Sequence, residues 1–488
     1  MVGGLGVVYA WASASPSGAS PDDDFHQASI WCPRMIDGSC ATRVEAEGQV
    51  SVEVPVQVAD SSCYRFVSGA SGSCVSALPG GTTWTGRVDD GQYPGGYYVV
   101  MHLLVGPDVY QSIVAMRIVN GCLAILLIGA VVVSLAAPGR RLVAYAALPV
   151  CVPLMVYLVA SVNPSGWAIT GVLVAWFGTY AAASATSRWR EVVAVVAVVL
   201  GAAMAASARA DAGAFLVVAA LTVSLLNWTQ LRAKPWKLAL PVVTSLFGVV
   251  GFLSATQSQA LESGMDMSPD YAGGDWALFM GNVLNLPRLL IDYTAAVMGL
   301  NWVDTPMPPL VWVPVVVVSL ALLFLGLGSM EWRKGLALAA VTLVYIGLPL
   351  YLLQRSGYHV GESVQPRYLV PLLPLLVALA LWRPRQGGAS RLSAVQTSVV
   401  FGCLTVAHAV ALHTQIRRFT VGLDVFLANL DHTIEWWHTG PSPMVTWVIG
   451  SLGFAALASV LFLVGRAETD DMQVGTGSGA RVTPELAA

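Results

Sequence analysis

Long apolar runs with few charges recur from residue 111 to residue 465, and they constrain this chain more than any other feature. A helix needs about 20 apolar residues to cross the hydrocarbon core of a bilayer. The runs that come near that length are 111–137, 142–161, 166–186, 191–208, 212–228, 238–256, 309–329, 336–353, 367–382, 394–413 and 442–465. Because lipid leaves no partner for unpaired backbone groups, these runs predict an all-α polytopic membrane protein.

The composition supports this class and argues against others. Hydrophobic residues make up 56% of the 488 positions and charged residues only 11%, whereas a soluble domain carries about 25% charged residues. The net charge is −3, and no basic run interleaved with aromatic residues occurs. The sequence therefore predicts membrane lipids as the surroundings and no nucleic-acid partner.

The N-terminal residues 1–14 contain a further apolar stretch, "VGGLGVVYAWASA". Its end resembles the small-residue cleavage site of a signal peptide, but the basic leader of such a peptide is missing. We therefore favour a first transmembrane helix here, with cleavage as the alternative. The predicted bundle then has 11–12 transmembrane helices.

Short basic loops alternate along the chain and orient the bundle. They are 138–141, 187–191, 230–237, 331–335 and 382–391. Basic loops stay on the cytoplasmic side, so we expect both termini in the cytoplasm and the protein in the plasma (inner) membrane. The polar, glycine-rich tail at 467–488 is predicted to be disordered.

The remaining loops are predicted to be extracytoplasmic, and they separate the transmembrane regions 99–256 and 309–466. They are 15–98, 257–308, 354–366 and 414–441. In the first of them, "RVEAEGQVSVEVPVQV" alternates apolar and polar residues, which predicts a small β element. We expect the chemistry of the protein on this side.

Four cysteines, Cys32, Cys40, Cys63 and Cys74, lie in the first of these loops. Cysteines in an oxidising compartment form disulfides, and four can pair in three ways. We predict Cys32–Cys40 and Cys63–Cys74, because these pairs close the two shortest loops. A zinc site is the alternative, but neither a CxxC motif nor a histidine at the usual spacing occurs.

An acidic motif, "PDDDFH" at 21–26, follows the first apolar stretch. The aspartates could simply cap a helix, where carboxylates are favourable. Alternatively, Asp22, Asp23 and His26 form a reaction centre that contains a general base. Asp22 and Asp23 could also hold a divalent cation, the one cofactor that the sequence suggests but does not require.

Basic and aromatic residues at the ends of spans form a second set of candidates. The set is Arg117, Arg209, Arg288, His359, Arg367 and Tyr368. Arginine binds phosphate bidentately and stays charged, so Arg367, at the start of a span, is the first candidate for a phosphate clamp. The alternatives are interfacial anchoring, snorkelling and, for Arg209, a local ion pair with Asp211.

Four short motifs occur in a fixed order: "PDDDFH" (21–26), "NPSG" (163–166), "GLNWVDTPMP" (299–308) and "VQPRYLVPLLPLL" (364–376). They resemble an actinobacterial family of multi-pass membrane proteins of unknown function. That family shows a PDE with a nearby His, an NP loop, a GWLD-x-x-LP stretch and a GRY-x-x-P stretch. It looks related to the GT-C superfamily of polyprenyl-phosphate-dependent glycosyltransferases, and the likeness runs from Pro21 to about Trp382.

The resemblance implies roles for individual residues. The motif positions that match are Asp22, Asp23 (where the family often has Glu), His26, Asn163, Asp304, Arg367 and Tyr368. The chain departs from the family at Asp24, which stands where Pro is frequent, and at Pro366, which replaces a Gly. Proline restricts the residue before it but leaves Arg367 free to start the helix.

What the resemblance implies is a GT-C-like bundle that moves a sugar from a polyprenyl-phosphate donor to a cell-envelope glycan or lipid. The transfer would take place on the outer face, with inversion at the anomeric carbon. An acidic residue of the first loop would abstract the proton of the acceptor hydroxyl, and Arg367 would meet the phosphate of the leaving lipid.

Two other hypotheses stay open. A transporter or flippase of lipid-linked cargo would carry ionisable residues or broken helices near the middle of the membrane, whereas here the polar groups gather at one face. A non-catalytic subunit of envelope assembly would keep its role after substitution of Asp22 or Arg367.

Overall fold

The computed structural model describes residues 1–46, 48–260, 275–383, 388–389, 392–432, 435–437 and 439–464. The tail predicted to be disordered, 467–488, lies outside the described residues, as does part of the predicted loop 257–308. The chain is mostly helical, at 68%. The predicted all-α membrane fold is therefore confirmed.

A long loop separates the first helix from the others of the first half. In chain order they are α1 (Val2–Ser13), α2 (Asp23–Trp31), α3 (Val56–Ala59), α4 (Gly96–His102), α5 (Val109–Ser134), α6 (Ala137–Cys151), α7 (Leu154–Val159), α8 (Pro164–Ser184), α9 (Arg188–Ala208), α10 (Ala210–Leu226), α11 (Trp228–Ala233) and α12 (Ala239–Leu253). The short helices α2 to α4 belong to the loop that joins α1 to α5.

The helices of the second half are mostly long. Among the described residues they are α13 (Trp276–Leu290), α14 (Pro309–Leu327), α15 (Trp332–Ser356), α16 (Leu373–Leu381), α17 (Ala394–Thr420) and α18 (Pro443–Val464). By length and composition, eight helical segments of the described chain could cross a membrane: α5, α8, α9, Pro235–Leu253, α14, α15, α17 and α18. Shorter apolar helices are α1, α10 and Val370–Leu381.

Two predicted spans differ in detail from the observed helices. The run 142–161 forms α6 and α7 with a break at Pro153, because proline lacks the N–H that a continuous helix requires. The run 394–413 continues as α17 to Thr420. The extra turn carries Arg417 and Arg418, and a basic last turn suits the negative end of the helix dipole.

The first loop contains the predicted β element. Strands β1 (Thr42–Val44), β2 (Val50–Pro55) and β3 (Thr82–Thr85) form an antiparallel sheet in the order β1-β2-β3. A second, two-stranded sheet joins β4 (Trp382–Arg383) to β5 (Gly388–Ala389). Both predicted disulfides, Cys32–Cys40 and Cys63–Cys74, are confirmed.

Helix α8 forms the centre of the bundle, because its apolar stretch is buried along its whole length. It packs against α5, α9 and α10. A Cβ atom on Gly171 would lie only 2.2 Å from the carbonyl oxygen of Gly201, so α8 and α9 approach as closely as small residues allow. Helix α1 packs against α5 and α18.

Most of the polar loops gather at one end of the bundle, which we call the loop end. Trp302 donates to the carbonyl of Gly18 over 2.8 Å, and Gln415 donates to the hydroxyl of Ser15, also over 2.8 Å. Buried Arg418 joins Tyr64 to Asp304. The loop end therefore unites segments that are far apart in the chain.

Candidate functional site

The acidic motif forms the start of α2 at the loop end. Asp22 precedes the first helical residue and adopts a left-handed backbone with φ of 59°, a conformation that Asp tolerates better than most residues. Asp23 and Asp24 form the acidic first turn, which the helix dipole favours. The neighbours differ in environment, because the side chain of Asp22 is 36% exposed and that of Asp23 is fully buried.

Asp22 pairs with Arg367, the residue of the RY motif. A carboxylate oxygen of Asp22 lies 2.5 Å from a terminal nitrogen of Arg367, and Arg367 also donates to the carbonyl of Pro21. Burial raises the pKa of Asp22, but the charge and hydrogen bond of Arg367 and the charges of its other neighbours together outweigh burial and hold the pKa well below its usual value. Asp22 is therefore an ionised carboxylate across the working pH range.

Arg87 bridges partly accessible Asp22 and buried Asp24. It lies 3.4 Å from Asp22 and 2.9 Å from Asp24, and Asp24 also pairs with Arg65. Arg87 was not predicted from the sequence; it lies in the first loop, two residues after β3. The only signal for it was a basic residue at the end of a strand in the loop that carries the acidic motif.

Two arginines lie over the ring of Tyr368. The guanidinium of Arg209 is 4.9 Å from the ring centroid and that of Arg367 is 5.2 Å away, distances at which cations are attracted to aromatic faces. Arg209 also forms a bidentate ion pair with Asp211 at 2.9 and 2.8 Å. We call Arg87, Arg209 and Arg367 the arginine cluster.

His26 lies buried beside this cluster. Its Nδ1 is 2.9 Å from the hydroxyl of Tyr98, and its Nε2 has no hydrogen-bond partner in the described part of the chain. Burial lowers the pKa of His26 to about 3, with the charges of Arg367 and Arg209 acting in the same direction. His26 is therefore neutral and keeps one ring nitrogen for a ligand.

Asp23 and Arg117 lie away from the arginine cluster. Asp23 accepts hydrogen bonds from the backbone N–H and the hydroxyl of Ser20, and a nitrogen of Arg117 is 3.8 Å from its carboxylate. Arg117 donates to the carbonyls of residues 12, 15 and 16. These two predicted site residues therefore tie the end of α1 to α5 and do not meet Arg367.

The carbonyl of Pro21 joins three of the four sequence motifs. Asn163 donates to it over 3.0 Å, and Arg367 donates to the same oxygen over 3.2 Å. Asn163 also caps α8 by accepting from the backbone N–H of Ser165. Asn163 is thus a positioning residue that holds the Asp22 turn against Arg367.

Asp304, from the remaining motif, has a different partner. It accepts from Arg418 over 2.9 Å and from the hydroxyl of Thr305 over 2.8 Å. Both Asp304 and Arg418 are buried. The basic loops were predicted at the opposite end of the bundle. The ion pair with Asp304 explains why Arg418 lies at the loop end.

Arg288 and His359 also lie apart from the arginine cluster. Both are exposed, and Arg288 lines a separate cleft of about 400 Å³ with Asp292, Met298 and Glu362. Neither contacts Asp22 or Arg367. Of the predicted phosphate-binding set, Arg209, Arg367 and Tyr368 therefore lie together. Arg117, Arg288 and His359 lie apart from them.

An apolar groove opens beside Arg209 and Tyr368. It encloses about 130 Å³ between α10, α12 and α15. Arg209, Asp211, Gln257 and Tyr368 supply its polar side, and the apolar lining residues are Ala210, Ala214, Phe215, Phe252, Ala260, Leu348 and Leu352. A ligand with an apolar chain and an anionic head fits this combination.

The aspartate run has arginine partners instead of a metal-ligand geometry. Asp22 and Asp24 are neutralised by Arg87 and Arg367, and Asp23 is buried beside Arg117. In the part of the chain that the structure describes, no group of three His, Cys, Asp or Glu side chains could hold a metal ion. We therefore assign no step to a cation.

A family model described as "Predicted membrane protein (DUF2142)" matches residues 5–376. The matched range contains all four motifs and the whole arginine cluster. No curated protein matches the chain.

Proposed function

The chain belongs to the DUF2142 family of predicted membrane proteins, and from this premise we propose that it is a GT-C-type membrane glycosyltransferase. It moves a sugar from a polyprenyl-phosphate donor to a cell-envelope acceptor on the extracytoplasmic face. One observation carries the proposal. The accessible carboxylate of Asp22 lies within an arginine cluster that borders an apolar groove.

The arginine cluster suits the phosphate of the donor. Guanidinium groups bind phosphate bidentately and stay charged when buried. Arg209 and Arg367 flank Tyr368 at the polar side of the groove, so a phosphate there would have its lipid chain between α10, α12 and α15. Buried His26 adds a neutral ring nitrogen that can donate a hydrogen bond.

Asp22 is the base in this proposal. It takes the proton of an acceptor hydroxyl while the hydroxyl oxygen attacks the anomeric carbon. The bond from that carbon to the phosphate oxygen breaks, and its electron pair leaves with the lipid phosphate. The arginine cluster stabilises the charge that develops there. A single displacement inverts the anomeric carbon.

The ion pair of Asp22 and Arg367 gives donor binding a role in activating the base. While the pair holds, the low pKa of Asp22 makes it a weak base. A donor phosphate that takes over Arg367 leaves Asp22 without its strongest partner, and the burial of Asp22 then raises its pKa. The base becomes effective only when the donor is in place.

Sugar transfer by the purified protein in nanodiscs tests the proposal. A panel of radiolabelled polyprenyl-phosphate sugars is offered with envelope extract to the wild type, Asp22→Asn and Arg367→Ala. Loss of a general base lowers rates by about 10²- to 10⁴-fold, so we expect Asp22→Asn to lose transfer and still bind donor. Arg367→Ala should weaken donor binding as well.

Asp23→Asn is the matched control, because Asp23 is buried next to Asp22 but does not meet Arg367. It should retain transfer. The proposal fails if the wild type transfers no sugar from any donor, or if Asp23→Asn and Asp22→Asn lose activity equally while both stay folded. Donor movement across vesicles without transfer would identify a flippase.

A further inference from the structure

The cleft that contains Arg288 is a second opening at the loop end. It encloses about 400 Å³ between the end of α13, the turn Asp292–Thr294 and the loop at 360–362. This volume lies within the range of small-molecule sites, about 300–1,000 Å³. Its lining mixes Arg288, Asp292 and Glu362 with apolar side chains such as Met298 and Val303.

Buried polar side chains hold two walls of this cleft in place. Asn282 donates to the carbonyl of Tyr358 and accepts from the backbone N–H of Val360, both over 2.9 Å. Asp292 accepts from the N–H groups of Val297 and Met298 over 2.7 and 2.8 Å. Both walls are therefore fixed before a ligand arrives, which lowers the entropy cost of binding.

The cleft also presents free charge. Arg288 is exposed and forms no ion pair within the described part of the chain. Glu362 uses one oxygen to accept the N–H of His359 and keeps the other. A guanidinium can bind a carboxylate or phosphate, and a carboxylate oxygen can accept from a hydroxyl.

The cleft lies close to the arginine cluster. The turn Asp292–Thr294 packs against the turn Pro366–Tyr368, which carries Arg367. Glu362 precedes Arg367 by only five residues, so at most roughly 18 Å of extended chain separates them. The groove and the cleft therefore both adjoin the segment Pro366–Tyr368. The groove is lined by Tyr368 itself, and the cleft reaches the segment through residues 292–294.

We propose that this cleft binds the acceptor, and that the acceptor is a hydroxyl-rich saccharide carrying an anionic group. The inference rests on the proposed glycosyl transfer, because that reaction needs two substrates, a donor and an acceptor, and the groove and the cleft provide one opening for each. The apolar groove suits the lipid of the donor, and the mixed polar lining of the cleft suits a saccharide. Arg288 binds the anionic group, and Glu362 accepts a hydrogen bond from a hydroxyl and so orients it.

Saccharide binding without donor tests the cleft independently of transfer. The wild type in nanodiscs is titrated with a glucuronate-containing disaccharide, a phosphorylated disaccharide and the neutral parent. We expect one of the two anionic probes to bind, which identifies the source of the charge. Loss of a charge-assisted hydrogen bond weakens binding by about tenfold or more. Arg288→Ala should therefore lower the affinity for the bound anionic disaccharide to that for the neutral disaccharide.

Control variants separate the cleft from the rest of the molecule. Arg188→Ala removes an exposed arginine from the opposite end of the bundle and should leave binding unchanged. If Arg288→Ala leaves saccharide binding and the KM for acceptor unchanged, the inference is wrong even if transfer is observed. If Arg288-dependent binding is found but the wild type transfers no sugar, the cleft stands and the glycosyltransferase proposal fails.

Discussion

At the scale of residues, a single backbone conformation separates the roles of two neighbouring aspartates. The left-handed conformation of Asp22 lets α2 begin at Asp23. Asp22 then meets Arg367, 345 residues away in the chain, while Asp23 accepts from Ser20 inside the bundle. Two chemically identical side chains thus differ in exposure and partners, and only one of them is accessible to a substrate.

The pH profile tests the exchange of partners at Asp22. In the free protein Asp22 is ionised and His26 neutral above pH 5, because one pKa is depressed and the other is about 3. Neither group therefore gives kcat/KM an acid limb above that pH. In the donor complex the pKa of Asp22 rises, so we expect the acid limb to lie at higher pH in kcat.

Steady-state transfer between pH 4 and pH 8 measures both limbs. Arg367→Gln serves as the control, because it removes the partner of Asp22 before donor binds and should move the limb of kcat/KM upward. Identical limbs in kcat and kcat/KM for the wild type would rule out the exchange.

Several candidate residues predicted from the sequence lie together in the structure, and others lie apart. Asp22, His26, Arg367 and Tyr368 were predicted from the motifs, and the structure brings them together. The sequence did not distinguish Asp22 from Asp23, because tertiary partners decide their exposure. Arg87 was not predicted, because its contacts with Asp22 and Asp24 depend on β3, which brings it back to the start of α2.

At the scale of elements, α13 shows what a search for apolar runs misses. The stretch was predicted as part of the loop 257–308, but Trp276–Leu290 is a helix. It buries Leu278, Leu286 and Leu289 and exposes the opposite face, the pattern of an amphipathic helix. At 15 residues it is too short to be recognised as a span.

Asp292, in the turn after α13, gives the cleft wall a pH dependence. Burial raises its pKa to about 6, although it accepts two backbone N–H groups. The folded protein holds this proton more tightly than the unfolded chain, so ionisation costs stability that is recovered as the pH falls through 6. Between pH 7 and pH 5 the gain amounts to about 1 kcal/mol.

Thermal unfolding in nanodiscs at pH 7 and pH 5 measures this gain. Asp292→Asn cannot titrate, so the difference in stability between wild type and variant should shift in favour of the wild type at pH 5. An unchanged difference would show that Asp292 keeps an ordinary pKa.

At the scale of the whole molecule, the apolar runs predict the bundle but not the assembly of its loop end. Asp304 and Arg418 are 114 residues apart in the chain, and Asn163 reaches Pro21 across 142. Hydropathy is a local property, so it reports which segments are helical and not which loops meet. The ordered motifs were the only sequence feature that linked distant segments, and three of them meet at Pro21.

If the proposed function holds, the groove between α10, α12 and α15 lets the donor lipid approach from the side, within the bilayer. Ala214 lines this groove, so Ala214→Phe would fill much of its volume of about 130 Å³. We expect the KM for a long polyprenyl-phosphate donor to rise about tenfold with kcat nearly unchanged, because the lost contacts serve the ground state and the transition state alike.

A donor with a short lipid chain sharpens this test, since it has less chain to place in the groove and should be affected less. Ala340→Phe is the matched control, because Ala340 is an exposed position on α15 outside the groove. It should leave both donors unaffected. Equal losses for the long and short donors would mean that the substitution disturbs the arginine cluster, and the lipid would then have to bind elsewhere on the bundle.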